Sequence, residues 1–215
     1  MSASILATFN LGPQITASII GSPYQQYRPQ GANNPTASGN LIRSINAWIT
    51  ADDKAAGSKA FNYGKPVMFG MFDPTVTAVG DYLVGPLGTF FIASQDVPAP
   101  MQIVRCSHTL NLSEPGQAVG FGKQEPYGGD QRATENVLAS AWPASVVQGS
   151  RGEGGTSRLP GDTRMPWFVV LLPAISGVTI RNNLILTDEN GLRYVISSFE
   201  TSALGWRLTA LLATT

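Results

Sequence analysis

Charge is what this sequence has least of. Lys, Arg, Asp and Glu make up 13% of the 215 residues, 14 basic against 14 acidic, and the formal net charge is zero. Globular chains usually carry about 25% charged residues. So even a balance gives no global electrostatic case for nucleic-acid binding, which rests on neutralising phosphates. It also leaves only weak repulsion between copies. That suits a protein that covers much of its surface with partners; a poorly charged monomer is the alternative. Cys106 is the only cysteine, which excludes an intrachain disulfide framework and points to the cytosol, or a particle assembled there. Long apolar runs are missing as well. The most apolar stretch, PWFVVLLPAISGV, is broken by Pro173 and is far shorter than the ~18 residues of a spanning helix, so no membrane contact is expected. The start, MSASILATFNLGPQ, carries no basic residue before its apolar ones and reads poorly as a signal peptide.

Residues that do chemistry are as sparse. His108 is the only histidine, and on a strand it shares a face with Cys106. A metal site needs further ligands, and no C-x-x-C or H-E-x-x-H pattern is present. A Cys-His dyad needs an orienting group and an oxyanion hole. Cys106 therefore reads as a packed small residue and His108 as a partly exposed strand residue. GQAVGFGKQ puts Gln124 where a phosphate loop needs Ser or Thr, and GSRGEGG does not fit that pattern either. Asp52-Asp53 stands without other carboxylates. The expectation is a protein that is not an enzyme, with no catalytic residue, cofactor or metal.

Glycine and proline, by contrast, are abundant at 23 and 15, and they punctuate short runs rich in Val, Ile, Phe and Tyr. PVMFGMFD, DYLVG, TFFIASQD, WFVVLLP, LILTD, RYVISSFE and GWRLTALLA read as strands, and MQIVRCSHTLNLSEP as one half-buried alternating strand. Their close spacing leaves no room for crossover helices. The fold expected is mainly β: small antiparallel barrels or a sandwich with long Gly/Pro-rich loops and one or two short helices. Residues 1–60 read as an N-terminal arm and extended segment, of which 1–20 form a short β segment or an apolar arm. LIRSINAWIT, at 41–50, fits a strand or helical turns. Residues 61–212 read as an antiparallel β-barrel core, as one barrel or as two related modules over 61–125 and 140–212. ATENVLASAWPASVVQG has helical composition up to Ala141, after which Trp142, preceding Pro143, leans extended.

Two hairpins carry the strongest local signal. LILTDENGLRYVISSFE turns at Asn190-Gly191, where both residues are expected to supply left-handed φ. Tyr194 and Ile196 should then face inward with Leu184 and Leu186. GDYLVGPLGTFFIASQD turns at 85–88. GTFFIAS lies over GLRYVIS with an aromatic three residues after each Gly, by a diverged duplication or by convergence on an easy hairpin. Gly88, Phe90, Gly191, Tyr194, Gly205 and Trp206 are the residues expected to hold this framework. In the final strand Trp206 and Leu208 should face inward and Arg207 outward.

The segments GDYLVGPLGTFFIASQDVPAPMQIVRCSHTLNL, AWPASVV and LPGDTRMPWFVVLLP…GVTIRNNLILTDENGLRYVISSFETSALGWRLTA resemble uncharacterised tailed-phage and prophage proteins encoded among virion structural genes near the portal and head–tail region. The resemblance spans roughly residues 20 to 212, with Gly80–Ala93 and Asn190–Leu208 its most specific pieces. The C-terminal part is also similar to head-closure and neck β-barrel proteins. The resemblance implies a virion protein assembled in the host cytoplasm: a homo-oligomeric ring, as head–tail adaptor, neck or head-closure subunit. Its partners would be the portal or adjacent neck and tail proteins, with non-specific contact to packaged DNA. Other virion roles (tail tube, baseplate, capsid decoration) are alternatives, as is a carbohydrate- or receptor-binding tail module with exposed Trp48 or Trp142. By composition, Tyr24, Tyr27 and Arg28 on the arm and Arg151, Arg158 and Arg164 on a long loop are the candidate interface residues.

Overall fold

The structure, a computed structural model, describes residues 3–50, 66–96, 101–116, 135–149 and 166–213, with the backbone alone over 3–9. Helix α1 (Ala3–Ile20) comes first, followed by β1 (Ser22–Tyr27), β2 (Leu41–Thr50), β3 (Val67–Met71), β4 (Tyr82–Gly85), β5 (Gly88–Ser94) and β6 (Met101–Arg105). Then come β7 (His108–Glu114), β8 (Asn136–Gln148), β9 (Trp167–Leu172), β10 (Ile185–Asp188), β11 (Arg193–Ser202) and β12 (Gly205–Leu212). The fold is mainly β. The strands close into two antiparallel barrels, in the order β1-β2-β3-β6-β5-β4 and β10-β11-β12-β9-β8-β7. Closure removes the sheet edges that would otherwise invite aggregation.

The two barrels are the same object built twice. Replacing each strand number n of the first by n+6 reproduces the order of the second. The agreement reaches individual residues. In the first barrel Gly80 N donates to Ile92 O and Ile92 N to Asp81 O; in the second Asn183 N donates to Ile196 O and Ile196 N to Leu184 O. Gly80 and Asn183 both have positive φ, 89° and 67°. The ladder then slips between Ile92 and Ser94 in one barrel and between Ile196 and Ser198 in the other. Following the pairings outward matches Tyr24 with Leu110, Gln26 with Leu112, Ala47 with Ala144, Leu83 with Leu186, Phe90 with Tyr194 and Ile103 with Ala210. All are buried.

Five expectations need correction. Residues 22–50 are not an arm: β1 and β2 are staves of the first barrel, and the second begins at His108, so boundaries at 60 and 140 both fall inside barrels. The inward positions of β1 are Tyr24 and Gln26, and a glutamine at a core position hid the alternation. Residues 3–20 are an 18-residue helix despite Pro13. Residues 136–148 are strand rather than helix; ladders on both sides override local propensity. Pro143 is tolerated there beside a break in register, where Ala141 takes φ 55°. The run 101–114 is two strands, not one. At the break, Cys106 N donates to Thr89 O of the first barrel and Ser107 N to Ala144 O of the second.

The last correction concerns the hairpins. Only Gly191 is left-handed (φ 82°), not Asn190. Gly191 N donates to Asp188 O and Asp188 N to Leu192 O, which gives a three-residue loop. The β4–β5 loop has two residues between Gly85 and Gly88. The one-residue difference moves the overlay: Tyr194 is the counterpart of Phe90, not Phe91. Tyr194, Ile196, Leu184 and Leu186 do face inward together.

The barrels share a joint. Tyr24, Leu83, Phe90, Ile92 and Ile103 fill the first interior. Their strand neighbours Tyr82, Phe91 and Val104 point the other way and join the core of the second barrel. Tyr82 OH donates to Pro143 O at 2.8 Å, and its ring meets Trp142 edge-on.

Candidate interaction surfaces

Of the candidate interface residues, the three that are described, Tyr24, Tyr27 and Arg28, do not form one exposed patch. Tyr24 is buried inside the first barrel, its ring edge-on to Phe90. A Cβ at Gly85 would lie 2.3 Å from that ring, so the strand must have glycine there. Burial raises the Tyr24 pKa. Tyr27 is half-buried and its hydroxyl donates to Gln25. Arg28 is spent internally: Nε and Nη2 each donate at 2.8 Å to Asp81, and these hydrogen bonds raise its pKa further. Arg151, Arg158 and Arg164 lie outside the described residues, as does the Asp52-Asp53 pair.

Sequence reasoning missed Asp81. Its carboxylate is 1% exposed and also accepts from Gln26 Nε2 at 2.7 Å and from Ala78 N at 2.9 Å. Gln26 Nε2 donates to Val76 O as well. The cluster ties β1, the 73–81 turn and the start of β4 together. It is a structural device: the cation pairs within the chain, and the carboxylate has no room for a ligand. The signal was Asp-Tyr-Leu-Val itself, an acid directly before a strand.

The framework residues lie in the barrel interiors and at the hairpin turns. Phe90, Tyr194 and Trp206 are buried. Gly88 and Gly205 follow two-residue turns with φ 115° and 112°. At Gly205 a Cβ would also lie 2.6 Å from Leu172 O, so this position excludes a side chain twice over. Trp206 and Leu208 face in and Arg207 out, 3.8 Å from Glu200. Tyr194 OH donates to Asp188 at 3.3 Å; burial, with the Asp188 charge second, pushes its pKa up to about 12.

Cys106 is half-buried at the joint, and burial of its sulfur pushes the thiol pKa up, the reverse of an activated nucleophile. His108 Nδ1 lies 2.9 Å from Ser107 Oγ. Among the described residues, no group of three or more His, Cys, Asp or Glu is placed to hold a metal ion. A hollow of about 360 Å³ is lined by Ala32, Leu138, Val178 and Arg181 among others, and Arg181 is paired with Glu114. Trp142, one of two aromatics considered for a binding groove, is buried, with Nε1 donating to Ala32 O. Trp48 is half-buried.

The surface instead offers apolar side chains. Leu11, Ile15 and Ile19 recur every four residues on α1 and are exposed, Ile19 by 75%, with Ile20 beside them. The helix carries no charged residue; of its described side chains only Ala17 is buried. No helix among the described residues is long and apolar enough to cross a membrane. Comparison with known protein families, curated proteins and solved structures finds no match for this chain.

Proposed function

We propose that this chain is a structural virion protein of a tailed phage, a ring-forming head–tail adaptor, neck or head-closure subunit around the DNA channel. The observation that carries the reading is the uncharged helix α1, with Leu11, Ile15 and Ile19 presented to solvent as one stripe. An amphipathic helix of a monomer turns its apolar stripe inward and its polar face outward. Here the stripe is outside, on a chain with zero net charge, as expected of a subunit whose helix packs in an assembly. The two closed barrels provide a stiff frame, and the resemblance of Gly80–Ala93 and Asn190–Leu208 to head–tail region proteins supplies the setting. The mechanism is geometric: copies surround the axis and hold neighbouring rings in register.

The test is to label the protein in assembled particles and image them by negative stain. Density at the neck with radial symmetry is expected. Placement on the capsid face or at the tail tip would replace this reading with the decoration or receptor-binding alternative. A chain that never joins particles would end the virion reading.

A further inference from the structure

The β11–β12 hairpin runs on past the second barrel, and one edge of it has no described strand alongside. β10 pairs with β11 as far as Val195, and Ile196 is held by Leu184 O and Asn183 N. At Asn183, with φ 67°, the chain bends. β11 continues to Ser202, paired over this stretch with β12 alone. Residues 197–204 are all exposed.

Alternation along the ladder tells which backbone groups are free. Leu212 N donates to Pro166 O, toward β9, and Ala213 N to Arg193 O, toward β11. Counting back along β12, Arg207 and Gly205 turn their backbone groups to β11, where they meet Glu200 and Ser202. Phe199 and Thr201 therefore turn theirs away, two N–H donors and two C=O acceptors, with no described strand opposite. The first barrel occupies the same place itself. Its slip aligns Ser94 with Ser198, so Gln95 stands at the position of Phe199. Gln95 Nε2 donates to Thr77 Oγ1 of the 73–81 turn, whereas Phe199 is 44% exposed.

An edge of this kind is completed by an extended polypeptide, which brings matching donors and acceptors at strand spacing. The side chains say which polypeptide. Phe199 and Thr201 share a face with their cross-strand partners Leu208 and Trp206, both buried. Residues added beside them meet the Phe199 ring, which favours apolar ones. Glu200 is on the other face with its side chain 66% exposed, and a basic residue opposite it is favoured over an acidic one. The same rule disfavours a second copy. The antiparallel register that uses every free group pairs Phe199 of one copy with Thr201 of the other, and it sets the two Glu200 carboxylates directly opposite each other.

We propose that the β11 edge at Phe199 and Thr201 accepts an antiparallel strand from a different protein, an extended segment with a basic residue between two apolar ones. The inference stands apart from the ring reading, which rests on helix α1.

The test is fluorescence polarisation of the full chain with labelled nine-residue peptides, Ser-Thr-Thr-Val-X-Val-Thr-Thr-Ser with X as Lys or Glu, at protein concentrations up to about 1 mM. The Lys peptide should bind about threefold or more tighter than the Glu peptide, and Glu200→Lys should reverse the order. Methylating the backbone nitrogens of its two valines should abolish binding. Thr201→Pro removes one outward N–H and leaves the β12 ladder intact, so circular dichroism should match wild type while binding falls about tenfold or more. No binding by either peptide, or binding that survives N-methylation or Thr201→Pro, overturns the edge. An order that Glu200→Lys does not reverse overturns the basic partner. A wild-type dimer in analytical ultracentrifugation that Thr201→Pro breaks assigns the edge to a second copy and overturns the different protein. The ring reading is decided separately, by position in the particle.

Discussion

Asp81 is buried with four donors on its carboxylate, and replacing it should reveal what that arrangement is worth. In Asp81→Ala the Arg28 guanidinium, whose side chain is 46% exposed, swings into water at little cost. Gln26 and the Ala78 N–H cannot. Gln26 is fully buried and keeps only its bond to Val76 O, and Ala78 N loses its acceptor. Each stranded group costs about 1–3 kcal/mol. The two together cost about 2–6 kcal/mol. The second barrel provides the control. At the positions of Asp81 and Gln26 it has Leu184 and Leu112, both buried. The double variant Gln26→Leu/Asp81→Leu should therefore recover most of the loss and fall within about 1.5 kcal/mol of wild type, since apolar groups of similar size can replace a buried polar set. Urea unfolding followed by circular dichroism measures both. A cost below about 1 kcal/mol for Asp81→Ala, or a double variant no better than the single, would refute the reasoning.

Raising the folded pKa of Tyr194 to about 12 means that the native state keeps its proton where the unfolded chain has lost it. Its contribution is complete below pH ~10 and disappears between about 10 and 12; Tyr194→Phe should flatten that part of the stability profile, and an unchanged slope would show another group responsible. Gly205→Ala meets both a positive φ and a backbone oxygen at 2.6 Å, whereas Gly88→Ala meets the same φ in open space. Gly88→Ala should cost about 1–2 kcal/mol as strain alone and Gly205→Ala clearly more; equal melting-temperature losses would discard the clash. Cys106, its thiol pKa raised by burial, should react with a maleimide more than tenfold slower at pH 8 in the native state than in urea; comparable rates would mean that the joint opens readily.

The strands were legible because their signals are local. DYLVG, TFFIAS, WFVVLL and GWRLTALL combine β-branched and aromatic residues with Gly punctuation, and all are strands in the fold. What stayed hidden depends on tertiary partners. β8 contains Leu, Ala and Ser that suit a helix, and it is a strand because β7 and β9 bond to it. The MQIVRCSHTLNLSEP run keeps a two-residue period across a break, since nothing local marks Cys106–Ser107 as the place where the chain leaves one barrel for the other. The pairing of Arg28 has no local signal because its partner is 53 residues away. Leu11, Ile15 and Ile19 do follow a helical spacing, but Gly12 and Pro13 between them argue against a helix.

The same reasoning explains why a repeat this regular left so little trace beyond one pair of hairpins. The backbone ladder preserves positions, not residue identities, and the interior asks only that total volume be kept. In the first barrel a Cβ at Gly70 would lie 2.7 Å from Phe72 Cε1 and 3.2 Å from Ile103 Cγ2. The counterparts of Gly70 and Ile103 are Val170 and Ala210, both buried. The larger side chain has moved from one strand to its neighbour, and in a packed interior such changes of volume have to be matched by the residues around them. Read position by position, Gly against Val and Ile against Ala are two mismatches; read as a pair, they are one conserved layer. The equivalence of Asp81 and Gln26 with Leu184 and Leu112 follows the same logic with polarity in place of volume. A buried acid needs its amide, and a buried leucine needs another leucine, so the pair changes together or not at all. The repeat survives in registers, in two left-handed residues and in two slips of the ladder, where side-chain identity matters least.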